Sequence, residues 1–192
     1  NYLNAQELEQ ALNYYHAHLL DNNLQETLRQ FLFCCFTGPR YGDAQELGTQ
    51  HLVGQELHYI AQKTENYEIR VEVPIPDVAR RLIAARTSGK LFTHRTSNVT
   101  NRYLKTIFKE IGINKSISFH CARHTFGTLY IYLGGDLFDL KQLMGHRKID
   151  TTQIYVHMAS RMNAKCQDVF DKEFKNKLRV ITNSRWAKQE AS

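Results

Sequence analysis

The sequence predicts a mainly α-helical domain with one small three-stranded antiparallel sheet set into its first third. Three observations predict it. Apolar residues recur every three or four positions along most of the chain. Between about 51 and 73 the period drops to two. Gly, Pro and Asn punctuate the changes of period. The 192 residues, 42% of them hydrophobic, suit one domain (1–192) with a sizeable core, placed at about 1–160.

Asn4 has the residue type of an N-cap, and Glu7 stands three positions on, as in a capping box. Leu8, Leu12, Tyr15 and Leu19 then give one apolar face to a first helix. A second helix covers about 24–36, apolar at Leu28, Phe31, Leu32 and Cys35, and stops at Thr37-Gly38-Pro39. A short helix follows at 42–47. His51 to Val53, Glu56 to Ala61 and Tyr67 to Val73 read as strands; in the last, Ile69, Val71 and Val73 alternate with Arg70 and Glu72. Gly54-Gln55 and Thr64-Glu65-Asn66 supply the turns, and Pro74 and Pro76 end the sheet. Helical spacing returns over about 77–86, 97–111, 121–133, 136–144, 150–157 and 161–176. A short β-prone piece, Arg179 to Thr182, precedes a polar end carrying Trp186.

Lys and Arg total 25 against 19 Asp and Glu, a formal charge of +6 and a pI near 9.1. That balance favours a polyanionic partner, because neutralising phosphates releases counterions. Cys34, Cys35, Cys121 and Cys166 form no C-x-x-C pair, and the adjacent Cys34 and Cys35 lie in an apolar run. They read as free thiols in a reducing, cytoplasmic setting. No apolar stretch approaches the roughly 18–20 residues needed to span a bilayer. Asn1-Tyr2-Leu3-Asn4 has neither an initiator Met nor a signal-peptide pattern, so the chain is expected to begin at a domain boundary.

Five segments hold residue types suited to phosphate chemistry. They are Thr37 to Asp43 with Arg40 on a turn between helices, Gln62-Lys63-Thr64 at the second hairpin turn, His120 to His124, Leu143 to His146, and Asp150 to His157 with Tyr155. Breaking a phosphodiester needs a nucleophile, neutralisation of charge on the non-bridging oxygens, and a proton for the leaving oxygen. Arg40 and Arg123 suit the second task, because a guanidinium can bond two phosphate oxygens and stays charged. Tyr155 offers a phenol, a poor nucleophile until cationic neighbours favour the phenolate. Lys63 suits the third task, with Lys90, in an inter-helix loop, as the competing lysine. Asp43 either orients these side chains or begins a helix. His124 and His157 are expected to be structural or to support the other residues. His120 and His124 have the H-x-x-x-H spacing of a zinc pair. No third ligand has suitable spacing and Arg123 lies between them, so neither metal nor cofactor is expected.

Taken together and in this order, the segments resemble the signature of the tyrosine recombinase, or phage-type integrase, family. Arg40 with Asp43 matches its T-G-x-R-x-x-E/D pattern, Lys63 its β-hairpin lysine, and His120 and Arg123 its H-x-x-R. His146 matches its L-x-G-H and Tyr155 its T-T-x-x-Y, nine residues on; Pro39 stands where the family usually has a small aliphatic residue. The resemblance spans about 25–160 and implies the family's catalytic-domain fold. It implies site-specific DNA cleavage and rejoining through a 3′-phosphotyrosyl link, without metal or ATP, for integration or excision of a mobile element. Lys63 would protonate the departing 5′ oxygen, with His120 and His146 assisting. The implied partner is double-stranded DNA in a bacterial cytoplasm. The implied assembly is a homotetramer on DNA, a monomer as an isolated domain, with no membrane role. Residues 161–192 would serve subunit contact, and the family's N-terminal DNA-binding domain is not in this sequence. Two alternatives share part of the pattern. A topoisomerase-like or resolvase-like enzyme would relax supercoils or give hairpin ends, and a non-catalytic DNA-binding module would lack the full set of six residues.

Arg95, Asn98, Arg102, Lys105, Arg147 and Lys148 are expected to contact DNA. A helix over 97–111 offers Asn98, Asn101, Arg102 and Lys105 on neighbouring turns to a groove, and its N-terminus suits a phosphate.

Overall fold

The computed structural model describes residues 1–17, 21–61 and 68–162. Lys63 with its hairpin turn, the expected helix at 161–176 beyond residue 162, the β-prone piece at 179–182 and Cys166 lie outside the described residues.

Helix α1 (Ala5–Ala17) opens with the expected reciprocal cap: the Glu7 amide donates to Asn4 Oδ1 at 2.9 Å and the Asn4 amide to Glu7 Oε2 at 2.8 Å. Helix α2 (Asn22–Thr37) runs through the centre of the core. Its residues from Thr27 to Cys35 are all buried, and it packs on α1, α4 (Asp77–Ile83), α5 (Ser97–Ile111) and α6 (His120–Tyr132). Phe31 meets Phe108 and Phe119 edge-on at 5.3 and 6.2 Å, the preferred geometry for aromatic pairs. Arg29, on the same helix, is held by Glu26 at 2.7 Å and by the carbonyls of Leu82 and Leu91 at 2.8 and 2.7 Å. Cys34 and Cys35 are buried free thiols, as expected, and Cys121 is a third.

Gly38 ends α2 in the left-handed conformation (φ +77°), with its N–H on the Cys34 carbonyl. Helix α3 (Tyr41–Glu46) then leads to the sheet of β1 (Leu52–Val53), β2 (Glu56–Ala61) and β3 (Ile69–Pro74), antiparallel in the order β1-β2-β3. The pairs Leu57–Val73, Tyr59–Val71 and Ala61–Ile69 put the alternating apolar residues on one face. Helix α7 (Leu137–Leu143) packs on β3, and α8 spans 150–162 of the described residues.

Two expectations change. The helix expected at 77–86 ends at Ile83: the Arg86 amide bonds the Ile83 carbonyl three residues back, and Arg29 Nη1 donates to the Leu82 carbonyl at 2.8 Å. The break expected between 157 and 161 is absent and α8 is continuous. Ala159 is buried there, the Tyr2 hydroxyl donates to the Met158 carbonyl at 3.2 Å, and the Thr128 hydroxyl to Met158 Sδ at 3.4 Å. Among the described residues no helix is long and apolar enough to cross a membrane.

Candidate active site

Helix α6 builds one wall of the site. His120, Arg123, His124 and Gly127 are spaced three and four apart and share a face. Arg123 is 2% exposed. Its Nη1 donates to the Gly38 carbonyl at 2.7 Å and its Nη2 to the Met144 carbonyl at 2.5 Å. One side chain therefore joins the end of α2 to the loop after α7. Gly38 is required at its position twice over: L side chains avoid its φ, and a Cβ would lie 2.4 Å from the Phe126 ring.

Arg40 caps the N-terminus of α3 just after that turn. It lies near enough to act electrostatically on Arg123, His146 and Tyr155. Its Nη1 is buried and has no hydrogen-bond partner among the described residues. Asp43, buried in the first turn of α3, acts on the Tyr59 hydroxyl and the Arg123 guanidinium. Burial, and then the like charge of Arg40, lower the pKa of Arg123 from its ordinary value.

Helix α8 supplies the opposite wall. Thr152, Tyr155 and Ala159 form its buried face, while Ile154 and Val156 look outward. Tyr155 is 2% exposed. Its ring lies on Gly127, where a Cβ would stand 2.8 Å from it; only a glycine admits so close a pass. Burial raises the Tyr155 phenol, while the field and hydrogen bond of Arg123 and the field of Arg40 pull it back. The imidazole of His146 is parallel to the Tyr155 ring, 5° between planes and 6.3 Å between centroids. His146 Nδ1 is 2.9 Å from Thr152 Oγ1. Burial, then Arg123 and Arg40, push His146 down to about 3, so the ring is neutral at neutral pH. His124 lies 5.8 Å from Tyr155 and 4.5 Å, edge-on, from His120. Burial and His120 push it down to about 4. His120 itself is exposed at the start of α6, and His157 is exposed on α8. Among the described residues no three His, Cys, Asp or Glu side chains group as metal ligands do.

The structure thus brings Arg40, Asp43, Arg123, His124, His146 and Tyr155 together, with His120 beside them through His124; Lys63 lies outside the described residues. Lys90 is engaged elsewhere, on Glu46 Oε2 at 2.5 Å. Of the residues expected on DNA, Asn98, Arg102 and Lys105 are exposed along α5, and Arg147 and Lys148 are exposed after His146. Arg95 is half-buried with its Nη2 on Asn23 Oδ1 at 2.9 Å. Asn101 accepts the Phe119 amide at 2.8 Å and so anchors the start of α6. Sequence reasoning missed Gly127 and gave no role to Thr152, which stands in the T-T-x-x-Y match. Their only local signals are a glycine one turn after Arg123 and a threonine one turn before Tyr155.

The chain matches the model of the phage integrase family over residues 1–162. It is 27% identical over 128 residues to the integrase of Escherichia phage P2, covering 67% of this chain and 36% of that protein. Its fold superposes on the catalytic domain of bacteriophage HP1 integrase with a TM-score of 0.63 at 20% identity, covering 86% of this chain and 93% of that one. On XerH site-specific recombinase, solved with a palindromic difH substrate after cleavage, the TM-score is 0.68 at 18% identity, covering 89% and 53%. The chain spans little more than a third of the length of the curated phage integrases it matches. The family match runs from the first residue through the helix that bears Tyr155, on a fold shared with recombinase catalytic domains: this chain belongs to the phage integrase family of tyrosine recombinases.

Proposed function

We propose that this chain cleaves and rejoins DNA strands at specific sites, for the integration or excision of a mobile element. The observation that carries the reading is one constellation: buried Tyr155 within the electrostatic reach of Arg123 and of Arg40, whose buried Nη1 has no partner among the described residues. A buried guanidinium nitrogen without an acceptor suits an incoming anion, and a phosphodiester supplies its oxygens.

In this reading the Tyr155 oxygen attacks phosphorus as its proton passes to solvent. The new bond is a 3′-phosphotyrosyl ester and the bond to the 5′ oxygen breaks. Arg40 and Arg123 take up the charge that grows on the non-bridging oxygens. His120 and neutral His146 donate hydrogen bonds, and Lys63 delivers the proton to the 5′ oxygen. Attack by a new 5′-hydroxyl reverses each step, so the phosphotyrosyl bond stores what rejoining needs. Duplex DNA lies along the exposed Asn98, Arg102, Lys105, Arg147 and Lys148, and four copies act together on two sites.

The test uses the full-length protein and a nicked suicide substrate of its cognate site, in EDTA. A covalent protein–DNA adduct on a denaturing gel is expected, and it vanishes in Tyr155→Phe while the thermal melt is unchanged. Absence of adduct from the intact protein overturns the reading. Strand-exchanged products distinguish recombination from mere relaxation of supercoils.

A further inference from the structure

The hydroxyl of Thr152 adds a residue to this centre. Thr152 is fully buried on α8, one turn before Tyr155 on the same face, with Oγ1 2.9 Å from His146 Nδ1. Three other buried helical threonines spend their hydroxyl on the carbonyl four residues back: Thr27 on Asn23, Thr37 on Phe33 and Thr125 on Cys121, at 2.8, 2.7 and 2.8 Å. Thr152 has no such acceptor, because residue 148 precedes the helix. Among the described residues His146 Nδ1 is the one partner of its hydroxyl.

Two proton arrangements fit that distance. If Nδ1–H donated to Oγ1, the hydroxyl hydrogen would be buried with no acceptor, which folded proteins avoid. If the hydroxyl donates, both atoms are satisfied and the ring hydrogen sits on Nε2. We infer that Thr152 is a positioning residue whose hydroxyl donates to Nδ1 of His146 and fixes the Nε2–H tautomer, the form that donates to a phosphate oxygen. The same hydrogen bond ties the loop bearing His146 to the helix turn bearing Tyr155, so phenol and imidazole are oriented by one element. The inference rests on the reading of this centre as a DNA-cleaving one.

The experiment has two readouts. In protein labelled with ¹⁵N-histidine, long-range proton–nitrogen correlation at neutral pH should show His146, assigned by its loss in His146→Gln, with an unprotonated Nδ1 and a protonated Nε2. Thr152→Val should abolish that pattern and Thr152→Ser keep it. On the suicide substrate, Thr152→Val should slow adduct formation by roughly tenfold to a hundredfold, the lower part of what an aligned proton-handling group contributes, with Thr152→Ser near wild type. An Nδ1–H tautomer in the wild type, or Thr152→Val at the wild-type rate, overturns the inference. If Thr152→Val fails to fold, the wild-type tautomer and Thr152→Ser still decide it. If the wild type shows the Nε2–H form yet makes no adduct, the DNA-cleavage reading falls while the Thr152–His146 bond stands.

Discussion

Arg29 and Arg123 both lie in the helical core, 7% and 2% exposed, and both donate to two main-chain carbonyls of distant segments. They differ in what neutralises them. Arg29 has the Glu26 carboxylate on two of its nitrogens, at 2.9 and 2.7 Å, and stacks over Phe92 at 4.8 Å. The two hydrogen bonds that anchor Arg123 go to neutral carbonyls, a second arginine acts on it, and the nearest oxygen with chemistry to do is a phenol. Burial of an arginine therefore marks no site by itself. The mark is positive charge concentrated beyond what the local acids neutralise, in a place where an anion would complete it.

The strongest test of the contrast is Arg123→Lys. It should keep the fold and slow adduct formation by about 10²–10³-fold, the scale of one lost transition-state donor, because an ammonium cannot reproduce the fork that spans Gly38 and Met144 beside Tyr155. Wild-type rates in that variant remove Arg123 from the site. Arg29→Met should do the reverse. Stability to urea falls by about 1–3 kcal/mol, since the Leu82 and Leu91 carbonyls lose their donor and Glu26 keeps only the Thr93 amide and Arg86, while the adduct rate per folded molecule is unchanged. A selective loss of cleavage there would erase the distinction between the two arginines. Gly127→Ala comes next. Its Cβ pushes on the Tyr155 ring, so overpacking of about 1–3 kcal/mol should appear in the melt together with slowed cleavage.

The dependence of stability on pH separates the two regions by window. His146 and His124 titrate near 3 and 4 when folded, against about 6.5 unfolded. The unfolded chain therefore binds protons first, and their contribution is whole above about pH 6.5 and lost as pH falls toward 4. Burial raises the Glu26 carboxyl, but Arg29, Thr93 and Arg86 together outweigh it and hold Glu26 below its ordinary value. Its contribution is whole above the ordinary carboxylate value of about 4.3 and is lost only below it. Urea midpoints between pH 6.5 and 4.5 should thus fall in the wild type and fall less in His124→Asn. Identical slopes would show that the histidines near Tyr155 do not titrate as their burial requires.

Much of the architecture is written locally. Asn4 with Glu7, the alternation of Ile69, Val71 and Val73, and the Gly38-Pro39 stop each act through neighbours within a few residues, and each appears where its chemistry puts it. The errors came where a distant residue intervened. Nothing near Leu82 announces that Arg29, 53 residues earlier in the chain, will reach its carbonyl at the end of α4. Nothing in Met158-Ala159-Ser160 announces that Tyr2 and Thr128 will hold that stretch in α8. The site was legible as an inventory, since Arg40, His120, Arg123, His146 and Tyr155 stand in short motifs. The roles of Gly127 and of Thr152, the latter inside the T-T-x-x-Y motif, were not, because a small residue and a threonine carry no chemistry until something is placed against them.

By itself the sequence determined the helices, the alternating strands, the excess of positive charge and the residue types available to a phosphate. The tertiary structure alone decided which charges are matched and which are concentrated. Arg123 reaches the Gly38 carbonyl across 85 residues of chain, and His146 meets the hydroxyl that sets its proton only when α8 packs back on α6. Hydrogen bonds within a helical turn follow from adjacency. The protonation and orientation of a buried group follow from every atom around it, and folding brings those atoms from all along the chain.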